Sequence, residues 1–185
     1  MKKKTYPIVG AICIIVLLST LACSLTGVDS EEQPAPTPRP STLRQWASSA
    51  FASSQYGDES WSAEQIIGAP DTFECGDYTT AWASEYYDGV DWVDVGFNTP
   101  VVPSQINIYE TYNPGSIVKV EVGDEEGSFH TVYEAYPSYV ETCPRTLTIN
   151  ISDIDFKVSS VLISLDQSVV LDWDEIDAVE LVGKP

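Results

Sequence analysis

Apolar and polar residues alternate most clearly between Ile106 and Val122, INIYETYNPGSIVKVEV, where Ile106 and Ile108, then Val118, Val120 and Val122, occupy every second position. A period of two places those side chains on one face of a pleated backbone, so the segment reads as two half-buried strands. The intervening Asn113-Pro114-Gly115 suits a tight turn: proline sets φ, glycine accepts a positive φ, and asparagine bonds the backbone just downstream. The pattern predicts one β-hairpin. Alternation recurs at Val93, Val95 and Phe97 and at Leu147, Ile149 and Ile151. Further strands are expected over 129–134, 158–165 and 173–182, the last carrying Ile176, Val179, Leu181 and Val182. The small-residue run 46–54, WASSAFASS, predicts the first strand and its approach. Turns are expected at Asn98-Thr99-Pro100 and at the acidic Gly123–Gly127, and a loop over 135–144. Ser62-Ala63-Glu64-Gln65 has capping-box form, and Gly68 and Pro70 stop that helix after about two turns. About eight short strands with one short helix predict an all-β fold, a β-sandwich or jelly roll.

The amino end changes the picture from a plain domain to an exported one. Lys2, Lys3 and Lys4 precede the apolar run 8–18, and Ala22 stands directly before Cys23. This segment is similar to the signal peptide of bacterial lipoproteins, which implies removal of residues 1–22 and lipid attachment at Cys23, with the protein on the extracytoplasmic face of a cell membrane. The competing reading is an uncleaved membrane anchor, but the apolar run is shorter than the roughly 20 residues a spanning helix needs. Residues 23–42 hold four prolines in a polar run and read as an extended, lipid-anchored linker. Residues 43–185 suit one domain with a single core.

Losing the three lysines takes the basic count from 9 to 6 against 28 acids, and the net charge from −19 to −22. Nucleic acid is then an unsuitable partner, because phosphate binding needs clustered Lys and Arg. Such acidity either keeps the protein soluble or holds divalent cations. With Cys13 in the signal and Cys23 acylated, Cys75 and Cys143 remain; outside the cytoplasm a disulfide between them is the default. No CxxC occurs and His130 is the single histidine, so a zinc site is not expected.

The hairpin segment, together with GAPD…GDYTTAWAS over 68–84 and the closing DEIDAVELVG, resembles the scarf domain of pappalysins and the discoidin-like domain of a mitochondrial F-box protein. The resemblance covers about Gln45 to Gly183 and implies a galactose-binding-like jelly roll that acts as a non-catalytic module. It also implies a structural calcium ion, with Asp71, Asp77, Thr80 and Glu175 as ligands. Those residues carry the hard oxygens calcium takes, although Asp71 and Asp77 could equally be turn residues bonding nearby N–H groups.

Tyr56, Trp61, Tyr78, Tyr86, Tyr87 and Tyr112 lie near expected loops, and aromatic faces with a few fixed polar groups are a common way to hold sugars and peptides. Trp46, Trp82 and Trp92 read as packing residues, and Tyr109 and Tyr112 as supports of the turn. Arg145 and His130 are candidates to touch an anion or hydroxyl. For catalysis, Glu110 with Asp172 or Asp174 is the nominal carboxylate pair, but among 28 acids some pair always exists, and no Gly-x-Ser-x-Gly elbow is present. The sequence therefore points to a monomeric, non-enzymatic binding module for glycan or protein. The other reading is a scaffolding module of the cell envelope that binds no small ligand.

Overall fold

A computed structural model describes residues 41–170 and 172–185. The signal and nearly all of the linker, Cys23 included, lie outside the described residues. Eight strands run β1 (Leu43–Trp46), β2 (Ser49–Ala52), β3 (Val90–Tyr112), β4 (Ile117–Asp124), β5 (Phe129–Glu134), β6 (Arg145–Asn150), β7 (Val158–Asp166) and β8 (Glu175–Lys184). Among the described residues all strand pairings are antiparallel. One sheet has the order β1-β8-β3-β6 and the other β2-β3-β7-β4-β5. The result is the expected all-β jelly-roll sandwich.

The alternating residues fill the space between the sheets. Ile106, Ile108, Ile176, Val179 and Leu181 from one sheet face Val93, Val95, Val120, Val122, Val161 and Ile163 from the other, all fully buried. Each such side chain removed from water contributes roughly 1.5–3 kcal/mol, which makes this layer the main source of stability. On the outer face, the Arg44 guanidinium meets the Glu180 carboxylate through two bonds of 2.9 and 2.6 Å, and Asn107 Nδ2 donates to the same carboxylate at 2.7 Å.

Strand β3 belongs to both sheets. Residues 90–101 pair with β7 and residues 102–112 with β8, with the register shifting between Gly96 and Val101. The turn expected at Asn98-Thr99-Pro100 is thus a bulged corner inside one continuous strand, a common way for a strand to change sheets. The run 46–54 is likewise two strands, because the chain crosses at Ala47 and Ser48, whose N–H groups bond Val179 and Gly96 in opposite sheets.

The predicted hairpin is not formed. The second half of β3 is flanked on both edges by β8 and β6 and has no free edge for β4, which pairs with β7 and β5 instead. Asn113-Pro114-Gly115 is a crossover between sheets, with positive φ at Asn113 (38°) and Gly115 (127°). Glycine is required there for a second reason: a Cβ on Gly115 would collide with the carbonyl of Ser138, which the covering loop lays against it. The capping box also fails. Only a four-residue 3-10 turn forms over Ala63–Ile66, and the Ser62 hydroxyl and Gln65 amide both turn to the Glu59 carbonyl.

Both ends of β3 come to the same end of the sandwich. Val90 pairs with Asp166, whose N–H bonds Ser116 just beyond the crossover, while Tyr112 pairs with Glu175. The long 53–89 segment, the crossover, the 135–144 loop and the 167–174 loop therefore converge there. The Cys75–Cys143 disulfide, with Cα atoms 5.1 Å apart, ties two of them together.

Candidate functional site

Strand β8 is buried along nearly its whole length, although its sequence carries Glu175, Asp177 and Glu180, with Asp174 directly ahead of it. Inward, Asp174 and Glu110 sit fully buried beneath the crossover. Asp174 Oδ2 accepts the N–H groups of Gly115 (3.0 Å) and Ser116 (2.8 Å), and Glu110 Oε1 accepts Gly115 as well (3.1 Å). Arg145 Nε stands 3.4 Å from the other oxygen of Glu110. Burial raises the pKa of both acids, that of Asp174 strongly, and Glu110 beside it raises it further. Through the Gly115 and Ser116 amides the two acids hold the crossover. Glu110 and Asp174 are closed to a substrate and Arg145 is engaged with Glu110, while Asp172, the other acid of the nominal pairing, is exposed and accepts the Tyr112 hydroxyl.

Outward, the 68–82 loop lies over the end of β8 and bonds its carboxylates through backbone amides. Asp177 Oδ2 accepts the N–H groups of Asp71 (3.2 Å) and Thr72 (3.3 Å), and Glu175 Oε2 accepts that of Tyr78 (3.2 Å). The four expected calcium ligands accordingly divide into two groups. Asp71 and Thr80 lie with Thr72 and Asp177, the two hydroxyls 2.5 Å apart, while Asp77 lies with Glu175. Among the described residues no three His, Cys, Asp or Glu side chains converge as a metal cluster. The first group is nonetheless made only of hard oxygens, the donor type calcium takes. Asp177 was not anticipated; its spacing of two from Glu175, which sets both on one face of a strand, was the available signal.

Burial pushes Glu175 up to about 8, with Asp77 and Asp172 adding repulsion, and Asp177 up to about 6, with Asp71 adding to it. A carboxyl raised in the folded state binds its proton more tightly there than in the unfolded chain. Its stabilising effect is complete below the unfolded value and is lost as pH rises through the folded one. In the absence of divalent ions, the melting temperature should therefore fall between about pH 5 and pH 8. Thermal melts across that range test this, and Glu175→Gln should flatten the upper part of the decline.

Beside Asp77 and Glu175 an aromatic cleft opens. Tyr56 meets Trp61 and Trp173 edge to face, each at 5.4 Å between ring centroids, and Tyr87 meets Trp173 at 5.2 Å. The cleft is lined by Tyr56, Trp61, Asp77, Ala83, Trp173 and Glu175. Trp61 is held at φ 54°, a left-handed conformation unusual for a bulky residue, which costs on the order of 1 kcal/mol. Its ring N–H donates to Asp77 Oδ1 at 2.8 Å, and that of Trp173 to the Ser84 carbonyl at 2.9 Å. Strain at a ring pinned to a carboxylate marks a position shaped for more than packing.

Of the six aromatics named from sequence, the structure brings Tyr56 and Trp61 to line this cleft, while Tyr87 only flanks it, packed against Trp173. Tyr78 lies on the far side of the Asp71 loop, its hydroxyl 3.5 Å from Glu74. Tyr86 is 64% exposed beside Glu85. Tyr112 reaches Asp172 at 3.2 Å. Trp173 was missed, although an aromatic directly ahead of the last strand and two residues from Glu175 was a usable signal. Trp82 is fully buried, as expected, whereas Trp46 and Trp92 are half-buried against Tyr109 and Phe51. His130 pairs with Asp124 at 2.9 Å, far along the chain from the cleft residues.

Residues 38–185 match the family model described as the C-terminal SD scarf domain of pappalysin-1. The chain belongs to that family. This scarf domain is also 24% identical over 166 residues to the F-box/LRR-repeat protein 4 of Bos taurus, an alignment that takes in 71% of this chain and spans about a quarter (27%) of that relative's length. Among solved structures, it is similar to chitosan-binding module 1 of a chitosanase/glucanase from Paenibacillus sp. IK-5 (TM-score 0.52, 17% identity, 74% of this chain and 94% of that one). It is similar as well to the family 32 carbohydrate-binding module of NanJ from C. perfringens, solved with galactose (TM-score 0.55, 17% identity, 76% and 99%). At these identities the likeness concerns the fold alone, a jelly-roll sandwich.

Proposed function

We propose that this scarf domain is a non-catalytic glycan-binding module, held at the outer face of a cell membrane by lipid on Cys23 and carried on the proline-rich linker. The observation that carries the reading is the gathering of Tyr56, Trp61 and Trp173 in one cleft, with Tyr87 packed edge to face against Trp173. Rings packed edge to face beside fixed carboxylates offer an apolar face to a sugar's C–H groups and acceptors to its hydroxyls. The fold neighbours described as binding chitosan and galactose support the same reading.

A glycan array with the full chain tests it: saturable binding to at least one glycan, reduced tenfold or more by Tyr56→Ala or Trp173→Ala, is expected. A blank array combined with specific capture of one envelope protein would replace it with the scaffolding role. Cys23→Ala should release the protein from membranes, and continued retention would instead indicate a spanning anchor. Calcium belongs to this proposal as an ordering ion at Asp71, Thr80 and Asp177. Adding chelator should then lower the melting temperature by mass action, and an unchanged melt removes the ion from the account.

A further inference from the structure

The charge around the aromatic cleft narrows the ligand further. Asp77 and Glu175 both line it, and Glu175 is only 2% exposed. Its Oε2 takes the Tyr78 N–H, and the Asp77 carboxyl stands beside it. No basic side chain compensates. Arg44, Lys119 and Arg145 are engaged with Glu180, Glu121 and Glu110, and no ion pair among the described residues reaches Asp77 or Glu175. A nearly buried carboxyl with a second acid beside it and no counter-charge either keeps a proton or meets something positive, and a cation seated there would replace that proton. The walls suit such a guest, because the faces of Trp and Tyr rings attract cations within about 6 Å.

We infer that the cleft takes a protonated amino sugar, its ammonium set between Asp77 and Glu175 and its ring face laid on the Tyr56, Trp61 and Trp173 side chains. The inference rests on the glycan reading and specifies its ligand class. A glycan fits better than a peptide because the site is a compact pocket with ring-sized aromatic walls, sited where loops converge.

The test titrates the full chain, in detergent, with glucosamine oligomers and with N-acetylglucosamine oligomers of equal length, following tryptophan fluorescence and heat. The amine form should bind at least tenfold more tightly. Asp77→Asn and Glu175→Gln should each erase most of that preference while keeping the melting temperature within a few degrees, and Glu126→Gln on the remote β4–β5 turn should leave it intact. Equal affinity for the two oligomers overturns the amine inference and leaves the glycan reading standing. So does failure of both oligomers when the array shows other sugars bound. Absence of any glycan binding removes both. Tighter binding of a lysine-rich peptide than of the glucosamine oligomer overturns the inference in favour of a protein ligand.

Discussion

Asp174→Ala should destabilise the domain by about 3 kcal/mol, while Asp174→Asn should cost about 1 kcal/mol or less at neutral pH. Alanine leaves the Ser116 N–H without its acceptor, deprives Gly115 of one of two, and strands Glu110 in a fully buried site with Arg145 at 3.4 Å as its main compensation. Asparagine keeps an oxygen for the two amides and offers Glu110 an N–H donor. The pH dependence separates the variants further. Asp174 is raised in the folded state, so its protonated form is the stabilising one and that contribution fades as pH rises through the folded pKa. The Asn variant has no such proton to lose, and its disadvantage should shrink or reverse at alkaline pH. Thermal melts at acid, neutral and alkaline pH check both statements. If the Ala variant melts with the parent protein, the buried pair does not hold the crossover.

Cys75→Ser should lower stability by about 4 kcal/mol, as should reduction of the parent protein. The bridge closes 68 positions of chain, and the chain-entropy model gives about that figure for such a loop, as an upper value. For a domain of this size the shift in Tm is on the order of 10–15 °C. Function should suffer beyond stability, because the bridge fixes the loop that carries Asp77 and Tyr78. The Gly76 N–H to Thr111 carbonyl bond of 3.0 Å is a single tether by comparison. A variant still folded at low temperature should therefore bind ligand more weakly. Equal melting of parent, reduced and Ser forms would show that the bridge contributes nothing to stability.

Much of the architecture was legible along the chain. Strands β4 to β8 were found close to their observed bounds, by alternation where one face meets the core, as in β6, and by a dense apolar run in β8, which is buried on both faces. The Cys75–Cys143 pair was legible by elimination among four cysteines, given export. The hairpin was not. A proline–glycine turn between two alternating runs encodes a change of direction, but the identity of the pairing strand depends on which sheet edges are already occupied. Here β8 and β6 take both edges of the second half of β3. The corner at 98–100 was misread for a related reason: a bulge and a turn share residue preferences.

The candidate site divides in the same way. Sequence determined the ingredients: tyrosines and tryptophans in long connections, acids with few cations to match, and a covalent tie between loops. Only the tertiary structure decided that Trp173 joins Tyr56 and Trp61, that Asp177 rather than Glu175 faces Asp71, and that Glu110 and Asp174 are buried supports. The physical reason is distance along the chain. Alternation and turn chemistry act over a few neighbouring residues, whereas the cleft is made by segments more than 100 residues apart, brought together when two sheets close on one apolar layer.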